Sequence, residues 1–208
     1  FPIGIDPDSV FEMAHTPEAD AHMARLQRRS MANMFVLGVD RLDYTKGLPG
    51  RMRAFRRLLE LYPDLRKRVT MMQIAPPTRE EVEAYTDIRQ ELEGLSGSIN
   101  GEFGDFDWTP VRYIHRAIPR ATLAALFRAS QAGLVTPLRD GMNLVAKEYV
   151  ASQDPEDPGV LVLSKFAGAA EDLVEAIPVN PYDTDEVAEA LHTALTMPVA
   201  ERRERYES

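Results

Sequence analysis

The segment Gly133-Leu134-Val135-Thr136-Pro137-Leu138-Arg139-Asp140-Gly141-Met142-Asn143-Leu144-Val145-Ala146-Lys147-Glu148 reads as a short strand, a turn and the opening of a helix. The strand, Gly133 to Thr136, is nearly all apolar, as expected when both faces of a parallel sheet are covered. The turn gathers Arg139, Asp140, Gly141 and Asn143 where the strand ends. The helix that follows runs from about Asn143 to Ser152, and its first amides have no partner within the helix. The amides of Met142, Asn143 and Leu144 are therefore expected to point, with the positive end of the helix dipole, toward the seat of an anion.

Working outward, the same alternation recurs along the chain. Candidate strands are Met34 to Val39, Val69 to Ala75, Val111 to His115, Gly133 to Thr136, Val160 to Leu163 and Ile177 to Val179. Amphipathic helical patterns lie between them. One carries Met52, Phe55, Leu58, Leu59 and Tyr62, with Pro49 near its start, where proline costs little. Thr78 with Glu81, and Asp183 with Glu186, have capping-box spacing ahead of two more. Strand then helix, repeated about six times, predicts an α/β fold with a doubly wound, Rossmann-like parallel sheet and right-handed crossovers. Ser96 to Pro110, rich in Gly and Asp, reads as a long surface loop anchored by Trp108. Pro7 to Ser30 reads as one leading helix. Residues 1–30 are expected to form a leading segment, 31–199 the sheet domain, and 200–208 the start of a helix cut short.

Composition narrows the function. The chain has 208 residues, 44% hydrophobic and 27% charged, an ordinary globular mixture. The net charge of −9 argues against a nucleic-acid coat or an anionic membrane as partner. No apolar run approaches the roughly 18 residues a membrane helix needs, and no signal-peptide pattern is present. With no cysteine, disulfide and thiolate chemistry are excluded. The four histidines are scattered, and no Asp, Glu or His set has metal-ligand spacing, so no metal is expected.

In such a sheet ligands bind beyond the carboxyl ends of the strands. The loop after the first strand, Asp40 to Pro49, places Arg41 and Lys46 ahead of a helix, a pairing suited to a diphosphate. It is neither a Walker loop nor a dinucleotide fingerprint. The competing reading is a solvated loop in which Asp and Arg pair with each other. After the second strand, Arg79 stands at a helix start, to grip an anionic substrate group or to pair with Glu83. After the fourth, Asp140 and Glu148 are spaced to meet one ligand at two points, the reacting sugar and the ribose hydroxyls. The alternative is that Asp140 caps the helix and Glu148 pairs with a neighbour. Small residues in Ser164 to Glu171 permit close backbone approach, to a ligand or within the fold.

Val39 to Pro49, Gln73 to Arg79, Ile99 to Pro110, Leu134 to Tyr149 and Pro158 to Ala170 together resemble the trehalose-6-phosphate synthases. The resemblance runs from about Phe1 to Glu201. It implies the C-terminal, donor-binding half of a two-domain GT-B fold, with both chain ends reading as cuts in a longer protein. It implies a cytoplasmic retaining glucosyltransferase that moves glucose from UDP-glucose to glucose 6-phosphate, giving α,α-trehalose 6-phosphate and UDP without a metal or other cofactor. By the same resemblance Arg41 and Lys46 hold the donor diphosphate, and Arg79 the acceptor phosphate. Asp140 contacts the donor glucose, with Gly141, Met142, Asn143, Leu144 and Val145 beside it. Glu148 takes the ribose, and Ile118 and Leu123 line the uracil stretch. The implied partner is the missing N-terminal GT-B domain, without which the chain is expected to bind donor but not turn over; the parent is compatible with a homo-oligomer. Two other readings stay open: a synthase with another nucleotide-sugar donor or phosphorylated acceptor, and a non-catalytic nucleotide-sugar-binding module.

Overall fold

The computed structural model describes residues 4–77 and 83–208. Six parallel strands form one sheet: β1 (Met34–Val39), β2 (Val69–Ile74), β3 (Val111–Ile114), β4 (Ala132–Val135), β5 (Val160–Ser164) and β6 (Ile177–Val179), in the order β3-β2-β1-β4-β5-β6. This is the doubly wound order the alternation predicts, with its direction reversing between β1 and β4. There Val36 pairs with Ala132 and Leu37 with Gly133.

Alternation along the strands explains why both faces are covered. Val36, Val69, Met71, Val160 and Val162 point to one side, and Phe35, Leu37, Met72, Ile74, Leu161 and Leu163 to the other. The first side carries α3 (Leu48–Leu61), α4 (Glu83–Phe103) and α7 (Thr184–Thr196), with α3 packed between the other two. Met52, Phe55, Leu58 and Leu59 of α3 are buried there. The second side carries α5 (Arg120–Arg128) and α6 (Leu144–Ala151). A final helix, α8 (Val199–Glu207), closes the chain.

Three expectations need correction. The loop expected at Ser96 to Pro110 is helix as far as Phe103: Ile99 is fully buried and Ser96 nearly so, and packing against α3 outweighs the poor helix propensity of Gly97 and Gly101. Only the short turn from Gly104 remains, and Trp108 does anchor it by donating its indole N–H to Val69 O at 3.1 Å. The leading helix is two helices, α1 (Pro7–Ala14) and α2 (Pro17–Arg28), because Thr16 caps α2 and Pro17 opens it. Both pack on α5. At α7, Asp183 accepts the Glu186 amide at 3.0 Å, but Glu186 turns instead to the Asn180 amide and Lys165, so the capping box is only half formed. The Thr78 and Glu81 box lies outside the described residues.

Candidate functional site

The polar side chains converge at the carboxyl edge of β1 and β4, on either side of the switch point. The β1 loop is folded by its own residues. Asp43 accepts the amide and hydroxyl of Thr45, each at 2.8 Å, which winds Tyr44–Lys46 into a single 3-10 turn. Gly47 ends that turn at φ 67°, a conformation that strains any side chain. A Cβ on Gly47 would also lie 2.3 Å from Thr136 O. This contact is the seam between the two loops, and Leu138 N donates to Thr45 O across it at 2.7 Å.

The seam brings Lys46 to Asp140, with Nζ 2.5 Å from Oδ2 and both side chains 15% exposed. Asp140 also accepts the Met142 amide at 3.4 Å and Asn143 Nδ2 at 3.1 Å. Burial by itself raises the Asp140 pKa, but the Lys46 ammonium and these donors outweigh it and hold the carboxyl below its ordinary range. The β5 loop braces this turn from the far side: Asp140 N donates to Phe166 O, Gly168 N to Asp140 O and Ala169 N to Met142 O. A Cβ on Gly168 would meet Gly141 O at 2.0 Å, so the small residues of Ser164 to Glu171 serve backbone-to-backbone approach within the fold.

Asn143, at φ 76°, caps α6 by accepting the Ala146 amide at 3.1 Å. The Met142 amide, expected to be free, is taken by Asp140. The amides of Asn143, Leu144 and Val145 have no acceptor among the described residues and lie at the positive end of α6. One turn further on, Glu148 is half-buried and 3.5 Å from Arg120. Burial pushes its carboxyl above the ordinary range, against the pull of Arg120. Ile118 and Leu123 pack with Met142 and Val145 against the cluster that holds Phe35, Leu37 and Val135. Arg41, 66% exposed, stands at the β1 end and pairs loosely with Asp43 at 3.6 Å. Arg79 lies outside the described residues.

One element escaped the sequence reading. Beneath the rim Arg51 and Asp40 form a fully buried ion pair at 2.8 Å, their side chains 0% and 3% exposed. Burial raises the Asp40 pKa and the guanidinium pulls it back. A signal existed: Arg51 occupies a place in the apolar stripe Leu48, Met52, Phe55, Leu58, Leu59, where an arginine has no reason to stand without a partner. Among the described residues no group of three or more His, Cys, Asp or Glu is placed to hold a metal ion. No helix among them is long and apolar enough to cross a membrane.

This arrangement defines the class: a doubly wound α/β domain whose cations, carboxylates and helix amides gather at the β1–β4 switch point of the sheet. The chain belongs to glycosyltransferase family 20, whose sequence model matches residues 1–208. It is similar to the trehalose-6-phosphate synthase of Sodalis glossinidius (strain morsitans), 54% identical over 207 residues, which covers 100% of this chain and 44% of that protein. Its fold is similar to that of the UDP-forming alpha,alpha-trehalose-phosphate synthase from Burkholderia xenovorans in complex with glucose-6-phosphate, at a TM-score of 0.96 and 55% identity, covering 100% of this chain and 46% of that one. An E. coli structure bound with UDP-2-fluoro glucose matches at a TM-score of 0.93 and 51% identity, again covering 100% and 46%. The chain therefore spans a little under half the length of the curated relatives it matches.

Proposed function

We propose that this chain is the donor-binding part of a retaining glucosyltransferase that moves glucose from UDP-glucose to the anomeric hydroxyl of glucose 6-phosphate. The products are α,α-trehalose 6-phosphate and UDP. The observation that carries the reading is the meeting of Lys46, Asp140 and the unpartnered α6 amides at one point of the rim. The names of the relatives, and the glucose-6-phosphate and UDP-2-fluoro glucose in two similar structures, support the same chemistry.

As the glucosyl C1–O bond to the diphosphate breaks, negative charge grows on the departing oxygens. Lys46, Arg41 and the amides of Asn143, Leu144 and Val145 stabilise it, which lowers the barrier only to the extent that they bind this charge more tightly than the ground state. The acceptor oxygen bonds to C1 on the face the diphosphate leaves, and its proton passes to a departing phosphate oxygen. No side chain is assigned as a covalent nucleophile. Asp140 holds Lys46; an incoming diphosphate competes for the ammonium and frees the carboxylate for a glucose hydroxyl. Glu148 accepts the ribose hydroxyls, Ile118 and Leu123 flank the uracil, and Arg79 meets the acceptor phosphate. The cations and amides serve as counter-charge, so no divalent metal is required, and the setting is the cytoplasm. Turnover needs the portion carried by the longer relatives, because the reacting groups must be enclosed from water between two domains.

The test is titration of this chain with UDP, GDP and ADP, followed by amide NMR. UDP should shift the Asn143 to Val145 amides at lower concentration than the other two, and EDTA should leave the shifts unchanged. Amides that stay put at millimolar UDP would refute the reading.

A further inference from the structure

Arg51 cannot touch a ligand, because its side chain is wholly enclosed, yet its guanidinium reaches the carboxyl ends of three strands and the loop that carries Lys46. Its Nη2 donates to Asp40 Oδ2 at 2.8 Å and to the carbonyl of Lys46 at 3.3 Å. Its Nη1 donates to Gln73 Oε1 at 3.2 Å and its Nε to Thr136 Oγ1 at 3.1 Å. Gln73 is in β2, Asp40 directly follows β1 and Thr136 directly follows β4, so one side chain ties three neighbouring strands at their carboxyl ends. The fold makes room for it: a Cβ on Gly38 would lie 2.8 Å from Arg51 Nη1 and 2.4 Å from Gln73 Oε1.

Such a hub is a poor way to gain stability, since buried ion pairs are often matched by apolar residues of equal volume. Geometric constraint is what it supplies. The planar fork fixes the Lys46 backbone through its carbonyl, and the Nε–Thr136 bond fixes the start of the loop that carries Asp140. We infer that Arg51 is a positioning residue that sets Lys46 against Asp140 and, on the functional reading given above, aims the ammonium at the departing diphosphate. Arg51 works mainly through Lys46, and most of its contribution is lost when Lys46 is absent.

A double-mutant cycle in the full-length protein tests this. Arg51→Lys keeps the charge but loses the fork. It should lower kcat about 10- to 100-fold with the KM for UDP-glucose changed less than roughly 3-fold, and in a Lys46→Ala background it should cost less than about 3-fold. Equal losses in both backgrounds overturn the inference, as does a change confined to KM. Should circular dichroism show that Arg51→Lys does not fold, Thr136→Val removes the Nε acceptor at nearly constant volume and enters the same cycle, with additive losses again refuting. A second readout does not depend on catalysis. The 15N ammonium signal of Lys46, assigned by its disappearance in Lys46→Ala, should be sharp in the unliganded wild type, where Asp140 shields it, and broadened in Thr136→Val. An unchanged signal overturns the positioning role even if wild-type protein transfers no glucose, an outcome that would refute the functional reading instead.

Discussion

Replacing Gly47 by Ala perturbs the seam between the two site loops at a single atom. Two costs are visible. The residue sits at φ 67°, and a side chain there costs about 1–2 kcal/mol. The new Cβ would stand 2.3 Å from Thr136 O, while real Cβ contacts essentially never fall below 3.0 Å, so the loops must part by about 0.7 Å (3.0 less 2.3 Å). The obstacle is a backbone carbonyl and cannot swing aside, so overpacking adds about 1–3 kcal/mol. The sum, roughly 2–5 kcal/mol, corresponds to a fall in Tm of roughly 4–20 °C for a chain of this size. Because the displacement separates Lys46 from Asp140, turnover in the full-length protein should fall about 100-fold, the cost typical of an ångström-scale misplacement. Gly50→Ala is the internal control: it lies in the first turn of the same helix, its Cβ would be 3.7 Å from Pro181 O, and the change should be neutral or stabilise by about 0.5–1 kcal/mol. Differential scanning calorimetry and an initial-rate assay settle the matter. A Gly47→Ala protein that melts within 2 °C or so of wild type, with ordinary activity, would show that the seam is not tight and that this account of loop registry is wrong.

Asp140→Asn should flatten the acid limb of the stability profile. Burial raises the wild-type carboxyl's pKa, but Lys46 brings it below the ordinary value of 3.8, so its stabilisation is present above that pH and lost as pH falls through the folded value. Urea denaturation across that window should show a steeper loss in wild type than in the variant. Glu148→Gln should act in the opposite sense. Burial raises this carboxyl above 4.5, so its charge destabilises the fold as pH rises through the folded value; the variant should be the more stable protein at neutral pH and, on the proposed ribose role, should bind UDP about 10-fold more weakly. An unchanged UDP affinity would remove Glu148 from the site. Tyr149→Phe leaves the Ser130 carbonyl, which accepts the phenol at 2.9 Å in a fully buried setting, without that donor, and should cost about 1–3 kcal/mol by chemical denaturation.

What could be read from the sequence follows from where physics is local. Apolar runs such as Met34 to Val39 and Val160 to Leu163 are buried on both faces, so composition alone marks them, and the observed strands agree within a residue or two. The turn from Thr136 to Asn143 was legible because helix starts carry chemical signatures. Contacts between distant segments were not. The Met142 amide looked free until Asp140 folded back to accept it, and Glu148 and Arg41 each have an acid–base neighbour that spacing left as one of two options. Gly97 and Gly101 suggested a loop because propensity is a local quantity, whereas the burial of Ile99 is a tertiary one. Thr16-Pro17 did announce the break between α1 and α2, an N-cap and opening proline hidden inside an otherwise continuous helical pattern. Arg51 was passed over because its stripe was read for its apolar members.

The strand order has a consequence for how the protein is made. β1 finds β2 within a few dozen residues, but its other edge stays bare until β4 has been synthesised, and Lys46 and Asp140 are 94 positions apart. During translation the growing chain therefore carries an apolar, unpaired strand edge through the whole of α3, α4 and α5, the kind of surface that invites chaperones and aggregation. The rim cannot exist in any partial product that stops short of β4. The rim assembles in one late step of zippering, and slowing translation just before Ala132 should lengthen the vulnerable interval rather than shorten it.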